Sequence, residues 1–363
     1  MNIKQIRKEL HQIPELGRRE FKTKAYLCSF AETLSCTVLN PTETGVAFYF
    51  DAHQKATLCF RADMDALPIA EQTNLPFASS HQGIMHACAH DGHMAMLLGF
   101  AQWANDHIDQ LKNNILCLFQ PSEEENAGAN DILKSGILEQ YHVDRVFGMH
   151  IWPNLPENQV YTMPGGMLAT SGEVDINVHG TAMHAANRTN KGDALLASAK
   201  IITEFYEKMA LLKEPHLISF GKIVSGTARN AVAQEAHLQA TMRAFDDPVF
   251  LFMKNELQSL LKKIELEWGV QTELFINAAY PSVLNDPALV LEYQSVLNYT
   301  LLDKPFLQAE DFGCYTRKYP SLFLLLGCGS AHLLHTSRFD FNMDILDTGV
   351  KIYQKIACKA ITK

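Results

Sequence analysis

The run His86-Ala87-Cys88-Ala89-His90-Asp91-Gly92-His93 packs three imidazoles, a thiol and a carboxylate into eight residues. Thiolate and imidazole are good donors to a borderline-soft divalent cation, so Cys88 and His90 read as metal ligands. Taken alone, the pair could equally be a buried structural thiol, or a nucleophile, beside a histidine. Other donors must come from elsewhere in the chain. They are offered by Asp63 and Asp65, two residues apart after Thr57 to Phe60, and by Glu123, Glu124 and Glu125 after Ile115 to Phe119. His150 follows Val146 to Met149, and His332 and His335 follow Leu322 to Leu326.

The same event recurs each time: an apolar run of strand length stops, and a metal-capable or acid-base side chain appears just beyond it. Such runs, separated by helical patterns, predict an α/β fold with a mainly parallel sheet, whose ligands gather at the carboxyl ends of the strands. Cys88, His90, Glu124, His150 and His335 are enough ligands for two divalent ions sharing a bridge. Glu123 is the spare carboxylate. Adjacent residues at a strand end point to different sides, so Glu124 can ligate while Glu123 faces the attacking water. A metal lowers the pKa of that water, and a carboxylate within reach takes its proton and later protonates the leaving nitrogen. This is a layout for metal-assisted amide hydrolysis.

Between Glu173 and about Val283 the texture changes. Val174, Ile176 and Val178 alternate with polar residues, as do Leu238, Ala240, Met242 and Ala244, so these strands bury one face only. Helical stretches run from Asp193 to Met209 and from Pro248 to Trp268. The order strand, helix, strand, strand, helix, strand predicts a ferredoxin-like α+β domain over 173–283, inserted into a catalytic domain of 1–172 and 284–363.

The 363 residues carry a net charge of −9 and are 47% hydrophobic. The acidic balance argues against nucleic-acid or anionic-membrane partners. The amino terminus is a charged amphipathic helix start without the apolar core of a signal peptide, which predicts a cytoplasmic protein. The eight cysteines (28, 36, 59, 88, 117, 314, 328 and 358) show no CxxC spacing and read as reduced thiols. Gly327-Cys328-Gly329 lacks the third glycine of a dinucleotide loop. A zinc nucleobase deaminase would need a Pro-Cys-x-x-Cys partner motif that the chain does not have.

Five motifs carry a family resemblance. They are His11-x-x-Pro-Glu-Leu, Arg-Ala-Asp-Met-Asp-Ala-Leu-Pro from Arg61, Met-His-Ala-Cys-x-His-Asp-Gly-His from Met85, Phe-Gln-Pro-x-Glu-Glu from Phe119 and Leu-His-x-x-x-Phe-Asp-Phe-Asn from Leu334. In this order the chain resembles the amidohydrolase branch of the aminoacylase and carboxypeptidase superfamily, which includes hippurate hydrolases, indole-acetyl-amino-acid hydrolases and N-acetyl-diaminopimelate deacetylases. The resemblance implies a zinc-exopeptidase-like catalytic domain and an inserted domain that serves as lid and homodimer contact. It implies Cys88 as the bridging ligand, with His90, Glu124, His150 and His335 completing the pair, Glu123 as general base and Asp65 holding a ligand in place. It also implies that His184 reaches the oxyanion across a dimer, that Asn230 meets the scissile carbonyl and that Arg243 binds the substrate carboxylate. The expected cofactor is two divalent ions, zinc first, with manganese, cobalt or nickel fitting similar shells.

The chain departs from the family pattern in three places. Ala89 stands where glycine is usual and should demand ordinary backbone angles. Thr181-Ala182-Met183-His184-Ala185-Ala186-Asn187 replaces Gly-Gly-His-Ala-x-x-Pro, and Asn230-Ala231-Val232-Ala233 replaces Asn-Val-Ile-Pro. The last two fall in the inserted domain and bear on substrate choice. The expected activity is cleavage of the amide of an N-acyl amino acid (acetyl, benzoyl or aryl-acetyl). A dipeptidase or aminopeptidase-like enzyme, and a catalytically silent metal-dependent binding protein, are the alternatives.

Overall fold

The computed structural model describes residues 2–125, 127–189 and 191–361, with the backbone alone at 278 and 279. The chain forms two compact units, one of Met1–Gly165, Val283–Lys304 and Asp311–Lys363, the other of Gly166–Ser282 and Pro305–Glu310.

The first unit is built on an eight-stranded sheet. Its strands lie in the order Thr37–Leu39, Val46–Phe50, Asn114–Gln120, Thr57–Asp63, Val143–Trp152, Ser321–Gly327, Val160–Thr162 and Thr300–Leu301. The four central strands run parallel, and antiparallel strands extend the sheet to either side. Three of these four, Asn114–Gln120, Thr57–Asp63 and Ser321–Gly327, are buried at every position, as their unbroken apolar runs require of strands covered on both faces. The fourth extends three residues beyond the apolar run seen in sequence, so His150 lies inside the strand rather than after it.

The helix His90–Asp106 starts directly at His90, four residues before the first residue of its apolar run at Met94. All residues from His90 to Ala101 are buried, because the helix packs against the sheet, the helix Ile3–His11 and the helix Ile345–Ala357. A helix enclosed on all sides needs no polar stripe, which is why its amphipathic signature is weak and its start hard to read.

The second unit has the order strand (Thr170–His179), helix (Ala194–Met209), strand (His216–Ser225), strand (Glu235–Ala244), helix (Asp247–Trp268), strand (Gln271–Tyr280). All neighbours in its sheet are antiparallel, with the first and third strands central and the second and fourth at the edges. That is the ferredoxin-like arrangement. Val174, Ile176, Val178, Leu238, Ala240 and Met242 face Ile201, Phe205, Met253, Leu257 and Ile264 of the two helices in one core. Residues 305–310 run with this unit: Phe306 N donates to Met167 O at 3.0 Å and Ala169 N to Gln308 O at 2.9 Å.

Candidate metal centre

At the carboxyl ends of the central strands, Cys88 Sγ lies 3.4 Å from His150 Nε2 and 3.3 Å from His335 Nε2. Glu124 Oε1 lies 3.0 Å from His335 Nε2 and 4.0 Å from His90 Nε2. Two sets of donor atoms, Cys88 with His90 and His150, and Cys88 with Glu124 and His335, each fall within 4.8 Å and share the Cys88 sulfur. A thiolate and an imidazole on one tetrahedral ion are separated by about 3.5 Å, given bond lengths of about 2.3 and 2.1 Å. The observed sulfur–nitrogen distances match that edge.

The cage is unfinished without a cation. His90 Nε2 is buried and has no hydrogen-bond partner among the described residues, although buried polar atoms are almost always paired. Burial would push the His90 pKa down, but the carboxylates of Asp63, Asp65 and Glu124 override it and raise it to about 10. Burial, with Glu124, Glu123 and Asp63 nearby, holds the Cys88 thiol well above its ordinary range. His150 is pushed down by burial and by His93. Two groups thus hold protons where divalent cations would replace them, and donor types and spacing both suit zinc-like ions.

Each of the three histidine donors is held by a partner beyond the cage. His90 Nδ1 lies 2.8 Å from the backbone oxygen of Asp65, which leaves Nε2 directed at the cage. His150 Nδ1 is held by Ile151 O at 2.7 Å. His335 has φ 61, and its backbone N–H donates to Ala87 O at 2.9 Å. Glu123 and Glu124 correct the expectation that their side chains diverge. The strand stops at Gln120, Ser122 turns with φ 57, and the carboxylates of both glutamates come within 4.8 Å of His90. Strand alternation no longer applies after that turn.

Ala89 is a second correction. It adopts φ 64 and ψ 14, the left-handed conformation in which glycine is usual, and is fully buried. The bend is imposed by the helix start: Ala89 O accepts from Gly92 N at 2.8 Å and His93 N at 3.0 Å.

A buried ionic network underlies the site and was not read from the sequence. Arg61 reaches Asp63 Oδ2 at 2.7 Å, Asp311 Oδ1 at 2.7 Å and Gln120 Oε1 at 2.8 Å. Gln120 Nε2 donates to Asp311 Oδ2 at 2.7 Å, and the Asp311 N–H points at Glu123 Oε1 from 3.4 Å. Asp63 Oδ1 holds His93 Nδ1 at 2.6 Å, and His93 Nε2 accepts from Ile151 N at 2.9 Å. Both His93 nitrogens are therefore used. Arg61, a cation directly after an apolar strand run, was the available signal, and Asp311 carried none.

In the second unit, His184 lies opposite Ala231 in a short antiparallel pair, and Ala185 N donates to Asn230 O at 2.9 Å. The structure brings His184 and Asn230 together, both exposed. Ala186 N donates to His184 Nδ1 at 3.2 Å, which places the ring proton on Nε2. Arg243 is not with them. It lies at the far end of the strand Glu235–Ala244, roughly 25 Å from Glu235 at about 3.3 Å per residue. There it donates to Leu307 O at 2.8 Å and forms no ion pair among the described residues.

A family model described as peptidase family M20/M25/M40 matches residues 59–359, a span that contains the whole cage. The chain belongs to this family. Among M20 relatives, an N-acetyldiaminopimelate deacetylase of Oceanobacillus iheyensis is 34% identical over 361 residues, covering 96% of this chain and 97% of the relative. A protein of the same description from Bacillus subtilis is 33% identical over 358 residues, covering 96% and 95%. Among solved structures, a dinuclear metal-binding peptidase of the M20 family from Bacillus subtilis superposes with a TM-score of 0.85 at 28% identity, covering 98% of this chain and 96% of that one. This M20 chain is a hydrolase acting on amide bonds.

Proposed function

We propose that the chain removes the acyl group from an N-acyl amino acid, with Cys88, His90, Glu124, His150 and His335 holding two divalent ions and Glu123 as general base. The observation that carries this reading is the Cys88 sulfur shared between two donor sets, with the Glu123 carboxylate beside them. Zinc is the first choice for such thiolate and imidazole donors, with manganese, cobalt and nickel as rivals. The deacetylase relatives favour a short acyl group, and the acidic chain suits a small substrate in the cytoplasm.

Bound there, divalent ions polarise the scissile carbonyl and make a water acidic enough for a carboxylate to deprotonate. Glu123 takes the proton as the water oxygen bonds to the carbonyl carbon, and delivers it to nitrogen as the C–N bond breaks. Asp65 fixes the Glu123 backbone, and the Asp311 N–H lies against its carboxylate. His184 donates from Nε2 to the developing oxyanion, Asn230 meets the carbonyl and the Arg243 fork takes the substrate carboxylate.

Arg243 lies roughly 25 Å along its strand from Glu235, and His184 and Asn230 belong to the loops that adjoin the Glu235 end. That separation supports a homodimer in which the two ends of the second unit serve different sites. The edge strand His216–Ser225, with Ile223 and Val224 exposed, offers a surface for that contact.

The test is release of free amino acid from acetyl, benzoyl and indole-acetyl amino acids and from dipeptides. The metal-free protein is reloaded in turn with zinc, manganese, cobalt and nickel, and Glu123→Gln is the control. Metal-dependent release lost in Glu123→Gln supports the reading. Turnover of dipeptides alone, or metal binding without any turnover, overturns it.

A further inference from the structure

Glu20 lies outside the cage and outside the residues marked by sequence, yet its carboxylate is wholly buried. It occupies the N-cap position of the helix Phe21–Ala31 without capping it. Glu15 does that work instead, accepting from Thr23 N at 2.9 Å and from Thr23 Oγ1 at 3.1 Å. The freed Glu20 side chain turns to the loop after the strand Asn114–Gln120, where its Oε1 accepts from Ser122 N at 2.8 Å.

Ser122 is where that loop is bent, at φ 57. The next two backbone N–H groups, of Glu123 and Glu124, are taken by Asp65 at 3.0 Å each. Two buried carboxylates thus hold three consecutive amides. The turn is also enclosed from outside. A Cβ on Gly17 would lie 2.9 Å from Ser122 Oγ, and one on Gly128 would lie 1.8 Å from Pro121 O. A left-handed serine is unfavourable and persists only when its surroundings over-determine it.

We propose that Glu20 is a positioning residue for Glu123 and Glu124, holding through Ser122 the turn that aims both carboxylates at the cage. It touches neither substrate nor metal. Without its acceptor oxygen, Ser122 relaxes towards ordinary angles and both glutamates lose their aim. The kinetic arm of the inference rests on the function proposed above, whereas the metal-binding arm does not.

The experiment compares wild type with Glu20→Ala, Glu20→Gln, Glu15→Ala and Gly17→Ala. Zinc affinity is read by chelator competition, and kcat and KM by hydrolysis of an N-acetyl amino acid. Glu20→Ala should weaken one of the two zinc equivalents about tenfold and lower kcat about 10- to 100-fold, with KM within about threefold. Glu20→Gln keeps an acceptor oxygen and should remain within about threefold on both readouts. Glu15→Ala should lower Tm and move neither readout. Gly17→Ala presses the same turn from the other side, should act like Glu20→Ala, and decides the matter if Glu20→Ala does not fold. Wild-type values in Glu20→Ala or in Gly17→Ala, or equal damage in Glu15→Ala, overturn the proposal. If wild type turns over no N-acyl amino acid, the proposed function fails and the zinc titration alone decides for Glu20.

Discussion

Asp65 and Glu123 are joined through the backbone: Asp65 Oδ1 accepts the Glu123 N–H at 3.0 Å, while its Oδ2 accepts the N–H of Glu124 at the same distance. Both oxygens are committed, so an amide in place of the carboxylate sets a donor against a donor. Asp65→Asn should fold and should lose about 10- to 100-fold in kcat, in zinc affinity, or in both. Steady-state kinetics and metal analysis of the purified variant check this. Full activity with two bound metals would show that the turn holds itself.

The state of Cys88 makes metal binding a proton-releasing event. Burial and the surrounding carboxylates keep the sulfur protonated at neutral pH, and a ligand must be the thiolate. Zinc affinity should therefore rise with pH, and calorimetry in buffers of different ionisation enthalpy should detect released protons. In Cys88→Ser the alkoxide is out of reach, so both donor sets lose their shared atom. Zinc affinity should fall at least tenfold, and the pH dependence should flatten. Unchanged proton release in Cys88→Ser would place its source elsewhere in the cage.

The convergence of the cage donors was legible because Glu124, His150 and His335 each come at or after an apolar run of strand length, Cys88 and His90 sit at the start of a helix between two such strands, and parallel topology brings these ends together. The arrangement of the second unit was legible because its strands alternate and its helices carry apolar stripes. What sequence hid are the groups whose burial is decided from afar. Asp311 sits in Gln308-Ala309-Glu310-Asp311, which reads as a solvated loop, yet it is fully buried by Arg61 and Gln120. Glu20 follows two arginines and reads as surface charge. Backbone handedness at Ala89 and Ser122 is likewise set by neighbouring hydrogen bonds, which residue type does not reveal.

The helix Ile3–His11 is tied to the helix of the cage by a buried ionic cluster with a clear pH signature. Arg7 Nε donates to Asp91 Oδ2 at 2.9 Å, and His11 Nδ1 meets the same oxygen at 2.8 Å, while His11 Nε2 lies 3.2 Å from Glu71. Burial opposes charge on His11, but Asp91 and Glu71 prevail and raise its pKa from 6.5 to about 9. Folding therefore favours the protonated ring. Its stabilisation is complete below about pH 6.5 and is lost as pH rises through about 9. His11→Gln should cost more stability at pH 6 than at pH 9.5, as measured by urea unfolding. A gap that widens with pH would show that the ring is held neutral.

Ala89 allows its backbone strain to be measured by substitution. A left-handed alanine costs about 1–2 kcal/mol, glycine in a folded segment costs about 0.5–1 kcal/mol relative to alanine, and a buried methyl is worth about 0.8 kcal/mol. For Ala89→Gly the relief of strain offsets the other two, so unfolding free energy should stay within about 1 kcal/mol of wild type and kcat should not change. Ala95 lies inside the helix that Ala89 precedes, equally buried and with an ordinary backbone, so Ala95→Gly gains no relief and should cost about 1.5 kcal/mol. The difference between the two variants isolates the strain, because methyl and entropy contributions are common to both. Ala89→Val should be strongly destabilised, since a β-branched residue at φ 64 is a backbone outlier at a fully buried position. Equal losses for the two glycine variants would mean that the bend before His90 carries no strain, and that glycine at this position confers no advantage.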